Sequence, residues 1–461
     1  MAYPLTLRKL IQLLSLDFPD GAIPAVQLDQ QLCQISTDSR TIQPGSLFVA
    51  LRGERYDGHA FLDVAQQQGA LAAIVNRQVN RQPGWPAQLC LLPVADTLQA
   101  YQQIGQWWRK QVQIPVIAVT GSVGKTTTKE LIAALLATQG QVLKTQANYN
   151  NEIGLPKTLL ELRPEHDFAV VEMGMRAAGE IALLSQIACP DIAVITNVGT
   201  AHIGRLGSEQ AIADAKCELL QAMPASGTAV LNADNLRLMQ TAAQVWPGPV
   251  LTYGLEAGNL RGELLDAETL VVRGNQIKLP LPGRHNASNY LAAIAVAELL
   301  QIDWSALLAN APALSVELPQ GRARRIQLPN DLLLLDETYN AGLESMLAAL
   351  QMLADTPATR RIAVLGTMKE LGEQSQELHK RVGAMAQKLK LDALLILADP
   401  AEAIAMAEGA LPLVAEQFSN QAELINRLRT LMAPGDRILF KASRAVGLDQ
   451  VVQRLQVAPT L

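Results

Sequence analysis

The stretch Val119–Glu130, VTGSVGKTTTKE, decides the fold. It completes an apolar strand, PVIAVT, and opens a helix, KTTTKELIAALLATQ. Strand, glycine loop and helix is the setting in which backbone N–H groups and a helix N-terminus gather around a phosphate. The common phosphate loop, G-x-x-x-x-G-K-[ST], would need a glycine at position 119, where this chain has Val119. The glycines stand instead at Gly121 and Gly124, giving G-x-x-G-K-T-T. Gly121, Ser122, Val123 and Gly124 then form the cradle, with Thr127 just inside the helix. Lys125 reaches the outer phosphates of ATP, and the Thr126 hydroxyl suits Mg2+. A chance Lys-Thr after an ordinary strand-to-helix turn is the competing reading, and the strand–loop–helix context weighs against it. The loop alone fits an ATPase motor, a kinase, a nucleotide switch or an ATP-driven ligase.

Outward from the loop, FAVVEM, DIAVITNV and TAVLNA are further apolar strands. Helices such as NASNYLAAIAVAELL alternate with them. Continuous apolar strands separated by helices predict a parallel sheet covered on both faces. Beyond QGRARR, the run RRIQLPNDLLLLDE predicts a hairpin turning at Pro329-Asn330-Asp331. RIAVLG, DALLILA and DRILFKA then alternate with helices as a smaller α/β unit. Upstream, short runs such as SLFVAL and LAAIV end near RQPGWPAQ, a linker or exposed loop by composition. The expectation is an α/β protein of three domains: 1–95, 96–321 around the loop, and 322–461, Rossmann-like.

The bulk numbers agree. A length of 461 residues is material for about three domains. Hydrophobic residues at 49% and charged residues at 18% make a globular chain. A net charge of −5, without blocks of like charge, suggests neither a nucleic-acid nor a membrane surface. Cys33, Cys90, Cys189 and Cys217 form no C-x-x-C pair, so neither a zinc site nor a disulfide framework is indicated. A reduced, cytoplasmic compartment fits. The N-terminal MAYPLTLRKLIQLLSLDFPD reads as a helix rather than a signal peptide, and no run is long enough to span a membrane.

Three residues past the loop bear on chemistry. Glu172 ends the strand FAVVEM, where side chains of a parallel sheet face the ligand crevice. His202 follows DIAVITNVGT at another strand end. Lys216 lies on the helix SEQAIADAKCELL. Each has a plain alternative: a solvated strand-end carboxylate, a structural histidine and a surface lysine.

The motifs TGSVGKTT, NYNNEIGLP, VVEMG…GEI, TNVGTAHIGRLGS…AK, GRHNASN and DETYNA…SM occur in that order. Together they resemble the Mur ligases of peptidoglycan synthesis, over almost the whole chain. STDSRTIQPGSLFVALRGERYDGH in the first segment fits the same family. YNNEIG and YNA…SM point to the branch that adds D-alanyl-D-alanine to UDP-N-acetylmuramoyl-tripeptide; the D-N-P-R motif of the branch adding the third residue is absent. Two positions depart from the family pattern: Gly342-Leu343 where Asn-Pro is usual, and Thr367 where Asp is usual.

The resemblance implies roles. Lys125 holds the ATP phosphates, Thr126 and Glu172 hold one Mg2+, and His202 with Lys216 helps to hold a second. In this family the lysine is typically carbamylated, which turns a cation into an oxygen ligand. Asn286 and Asn289 contact nucleotide; Arg322 contacts phosphate; Asp336 or Glu337 lies near the ribose. Asn150 and Asn151 face the nucleotide-sugar peptide, Ser39 and Arg40 grip its UDP end, and Tyr339 and Asn340 lie near the acceptor. A monomer is expected, acting in cell-wall biogenesis. The implied chemistry converts a carboxylate into an acyl phosphate that an amine attacks. A related ligase of the folylpolyglutamate type, and a nucleotide switch without catalysis, are the alternatives.

Overall fold

The computed structural model describes residues 5–18, 23–53, 55–79, 89–310, 314 and 316–456. RQPGWPAQ, residues 81–88, lies outside them. Two compact units emerge. One gathers residues up to Ile114 with Asn148–Asp167 and Gln186–Cys189; the other holds the rest. Among the described residues there are three sheets, one in the first unit and two in the second.

The first unit carries a four-stranded parallel sheet in the order Ile35–Ser36, Leu47–Val49, Ala72–Asn76, Cys90–Val94. Its core includes Phe48, Leu62, Ala73 and Val75. Helix Thr97–Gln111, whose N-terminal N–H groups are capped by Asp96, belongs to this unit.

The large sheet of the second unit runs Asn275–Lys278, Thr269–Val272, Leu260–Leu264, Val250–Gly254, Thr228–Asn232, Ile192–Ile195, Val116–Thr120, Phe168–Glu172, Val142–Lys144. It is parallel from Val142–Lys144 as far as Leu260–Leu264. The remaining two strands are antiparallel, an extension that the expectation of a parallel sheet did not contain. They form a hairpin at Arg273-Gly274, both at positive φ, and their alternating, half-polar residues lack the apolar run of a central strand. Helix Arg284–Leu299 is buried nearly all round and packs in one core with helix Lys125–Leu136.

The third sheet runs Arg324–Leu328, Leu332–Asp336, Asp436–Lys441, Arg360–Gly366, Ala393–Leu397, Ala415–Gln417. Its first pair is the expected antiparallel hairpin, with Asn330 and Asp331 both left-handed, as a tight hairpin turn requires. The other pairings are parallel, giving the Rossmann-like layer. The molecule is thus a three-domain α/β protein with a largely parallel central sheet.

Candidate active site

Strand Val116–Thr120 is buried along its whole length and delivers the loop at its C-terminal end. Gly124 stands at φ 83 as the residue before helix Lys125–Leu136, a conformation that suits glycine. A Cβ there would also lie 2.6 Å from Asn289 Oδ1. The neighbouring strand end staples the loop in place. Ser122 N donates to Asn197 O at 3.0 Å and Val123 N donates to Asn197 Oδ1 at 3.0 Å. Val123 O accepts from Thr196 Oγ1 at 2.7 Å and from Asn197 Nδ2 at 3.0 Å. Lys125 Nζ folds back to Gly121 O at 2.8 Å.

Charge converges on Lys125. Burial lowers its pKa, Glu172 opposes that shift, and Arg322 of the third domain adds to it. Glu172 and Thr126 are both buried. The backbone N–H of Glu172 donates to Thr145 Oγ1 at 2.9 Å. Thr145 O in turn accepts from Lys129 Nζ at 2.7 Å, and this buried lysine is neutralised by Glu130 at 2.7 Å. Sequence reasoning passed over Lys129, a second lysine on the loop helix.

Lys216 is 1% exposed on helix Glu209–Ala222, which removes its reading as a surface charge. Burial, then the charge of Lys125, holds its pKa well below that of an ordinary lysine. No ion-pair partner of Lys216 stands among the described residues. His202, at φ 67, has its pKa lowered by burial; Glu370 opposes, and Lys125 and Lys216 reinforce. Its Nδ1 lies 2.6 Å from Glu370 Oε2. Lys125, Glu172, His202, Lys216 and Arg322 are therefore brought within electrostatic reach of one another in the chain of pairs just described.

A narrow cleft is lined by Pro282, Asn286, Arg324, Asp336, Glu337 and Met352 among others. Asn289, next to it on the same helix, faces the loop through Thr128. Asp336 accepts from Thr338 Oγ1 at 2.6 Å, while Glu337 accepts from Ala323 N at 2.9 Å. Burial raises the pKa of Glu337, against the pull of Lys441. The Arg322 guanidinium stacks over Tyr339 at 4.1 Å. Lys441 Nζ donates to Asn340 O at 3.1 Å and so fixes that loop from beneath. His285, which the sequence reading did not single out, is pushed down to about 4 by burial and by Lys441, so its ring is neutral.

The departures are absorbed locally. Gly342 precedes helix Leu343–Asp355 in extended backbone, and Ser345 Oγ accepts from its N–H at 3.1 Å. Thr367 Oγ1 accepts from Asp399 N at 2.8 Å, supplying one of the acceptors that a carboxylate would.

The first unit holds Ser39, Arg40, Asn150 and Asn151 together. Arg40 is exposed and forks onto Asp38 at 2.9 and 2.7 Å. Asp38 also feels the charge of Lys157, so the two segments are neighbours. Asn151 Oδ1 accepts from Gly154 N at 2.9 Å in the turn that leads into helix Gly154–Leu159, a structural duty that any further role would share. Lys157, over the Tyr149 ring at 4.0 Å, is a cation that the sequence reading missed.

Fold and site define a three-domain α/β protein whose central sheet presents a glycine loop to a cluster of cations. Family models place it further: "Mur ligase family, catalytic domain" matches residues 32–119, "Mur ligase middle domain" 119–297, and "Mur ligase, glutamate ligase domain" 321–444. The UDP-N-acetylmuramoyl-tripeptide–D-alanyl-D-alanine ligase of Synechocystis is 56% identical, over 93% of this chain and 92% of that protein. The Escherichia coli ligase of the same name is 38% identical, over 93% and 94%. The crystal structure of MurF from Acinetobacter baumannii superposes with a TM-score of 0.87 at 33% identity, covering 99% of this chain and all of that one. MurF from Thermotoga maritima in complex with ADP gives 0.80 at 29%, covering 91% and 96%. The chain belongs to the Mur ligase family.

Proposed function

We infer that the chain is an ATP-dependent ligase that joins D-alanyl-D-alanine to UDP-N-acetylmuramoyl-tripeptide in peptidoglycan synthesis. The observation that carries this reading is the buried Lys216 set beside the half-buried Lys125, with Glu172 and His202. A nucleotide switch has no use for a further lysine buried there. The relatives named above, which share the family and nearly the whole length, support the substrates.

A free carboxylate is a poor acyl donor. Its terminal oxygen attacks the γ-phosphorus of ATP, the bond from that phosphorus to the β,γ-bridging oxygen breaks, and ADP leaves. The amine of D-alanyl-D-alanine then attacks the acyl carbon. The C–O bond to phosphate breaks, the nitrogen sheds a proton, and inorganic phosphate departs. Lys125 and Arg322 offset charge on the transferring group. Asn286, Asn289 and one of Asp336 and Glu337 hold the nucleoside; Tyr339 and Asn340 serve the acceptor. Ser39, Arg40, Asn150 and Asn151 serve the UDP-muramoyl peptide. These duties are spread over the proposed domains 1–95, 96–321 and 322–461, with the peptide site drawing on the first two.

The donor set fits Mg2+ on one condition. No group of three His, Cys, Asp or Glu side chains among the described residues could hold a metal. Thr126 and Glu172 supply one oxygen pair, and His202 supplies a neutral nitrogen. Lys216 as an ammonium would repel a cation; as a carbamate it would complete an oxygen-rich set. Its depressed pKa favours the neutral amine that carbamylation needs. When bound, Mg2+ neutralises charge on the phosphate oxygens. The protein is read as cytoplasmic and monomeric; among the described residues no helix is long and apolar enough to cross a membrane.

The test is phosphate release from ATP, Mg2+ and UDP-muramoyl tripeptide, with and without D-alanyl-D-alanine. Release that depends on the dipeptide, with formation of the pentapeptide, is the expected result. Release indifferent to every amine would overturn the reading.

A further inference from the structure

The loop that carries His202 is gripped from the third domain at two points: Glu344 takes Thr200, and Glu370 takes the residues around His202 itself. Glu370 Oε2 lies 2.6 Å from His202 Nδ1, Glu370 Oε1 accepts from Arg205 at 2.9 Å, and Glu370 O accepts from Gly204 N at 3.0 Å. Three contacts to one short segment fix both partners. The approach is close: a Cβ at Gly204 would sit 2.5 Å from Gly372 N, and one at Gly372 would sit 2.9 Å from Gly204 Cα.

The segment bearing Glu370 is itself anchored. The N–H of Met368 donates to Nε2 of the fully buried His379 at 2.9 Å, and the ring's Nδ1 lies 2.6 Å from Ser375 O. The N–H of Lys369 donates to Ser443 Oγ at 2.9 Å.

Stability does not account for this arrangement. His202 is 26% and Glu370 36% exposed, so their contact contributes at most about 1 kcal/mol. Both residues adopt left-handed backbone, at φ 67 and φ 65, which costs about that much for each non-glycine residue. The pair is strained on both sides and worth little as a brace. Its distinctive product is chemical. A carboxylate only accepts, so Nδ1 of His202 carries the hydrogen and Nε2 of the neutral ring carries the lone pair.

We propose that Glu370 is a positioning residue for His202: docking of the third domain fixes the ring and its tautomer so that Nε2 is presented as a ligand. This rests on the assignment of His202 to metal binding made above. Closure over nucleotide and completion of the donor set then become one event. A ligating histidine held by a carboxylate at its other nitrogen typically loses 10- to 100-fold in metal affinity when that carboxylate is removed.

The experiment uses the full chain with Mn2+ and a non-hydrolysable ATP analogue, free Mn2+ being read by electron paramagnetic resonance. Glu370→Ala should weaken Mn2+ binding about 10-fold, and should raise the Mg2+ concentration that half-activates ligation. Glu370→Gln, whose amide oxygen still accepts from Nδ1, should restore most of both. In 15N-histidine spectra of the wild-type chain with the analogue, His202 should show the Nδ1–H tautomer, assigned by its loss in His202→Ala. Unchanged Mn2+ binding in Glu370→Ala, alongside weakened binding in His202→Ala, overturns the positioning role while leaving the metal site standing. Unchanged binding in His202→Ala removes the metal reading itself. An Nε2–H tautomer in the wild type overturns the proposal even if Glu370→Ala does not fold.

Discussion

Two loops leave adjacent strands of the central sheet and are built by opposite means. The loop Gly121–Gly124, after Val116–Thr120, is held from within its own domain by Thr196 and Asn197. The segment 199–206, after Ile192–Ile195, touches the first loop once, where Gly199 N donates to Ser122 Oγ at 2.9 Å, and is otherwise held from the third domain. Thr200 N donates to Glu344 Oε1 at 2.7 Å, Thr200 Oγ1 to Glu344 Oε2 at 3.2 Å, and Glu370 takes His202 and Arg205. One loop is finished when its domain folds. The other depends on where a second domain sits. A site assembled from both binds nucleotide with a preformed cradle but gains its remaining groups only on docking.

The sharpest way to break that contrast is Lys125→Ala. Turnover should fall by roughly 10²–10³, while the fluorescence transfer between labels on the second and third domains stays as in the wild type. Near-normal turnover would remove the loop from the chemistry. Lys216→Ala should cost on the order of 10² in rate, and added short carboxylates should restore part of it by filling the vacated oxygen position. Lys216→Arg should not be rescued, since its guanidinium stays charged. Full activity in Lys216→Ala without additive would reduce Lys216 to a packing residue.

Glu344→Gln sharpens the comparison from the other side. It keeps one acceptor for Thr200 but loses the charge, and should shift the docked population about 10-fold. The same transfer measurement reads this, and nucleotide affinity of the undocked form should not change; an unaltered docking equilibrium would count against the third-domain dependence. Asn197→Ala is the mildest. It leaves Val123 N without its side-chain acceptor and should lower the urea midpoint by the equivalent of about 1–2 kcal/mol, with docking intact. A docking defect in Asn197→Ala would mean that the two loops are not separately built.

The same contrast explains what was legible in the sequence. The glycine loop, its strand and its helix are contiguous, so Gly121, Gly124, Lys125 and Thr126 could be read directly from VTGSVGKTTTKE. The hairpin at Asn330-Asp331 was equally local. Glu172, His202 and Lys216 were visible one by one as candidates, and only the family resemblance grouped them, because burial and shared charge belong to tertiary structure. Glu344 and Glu370 gave no signal: each is an ordinary glutamate in its own segment, and only the fold sets it against a loop far back in the chain. The antiparallel strands Thr269–Val272 and Asn275–Lys278 were missed for a different reason, since each is only four residues long and too short to show a strand pattern.

The contact of Gly204 with Gly372 reaches beyond catalysis to how such a chain can change. Neither position can accept a methyl group unless the opposite domain withdraws. The two sites therefore cannot drift independently, although the positions around them can. A chimera that takes its third domain from a relative inherits a working junction only if the 199–206 segment and the segment around Gly372 travel as a matched set.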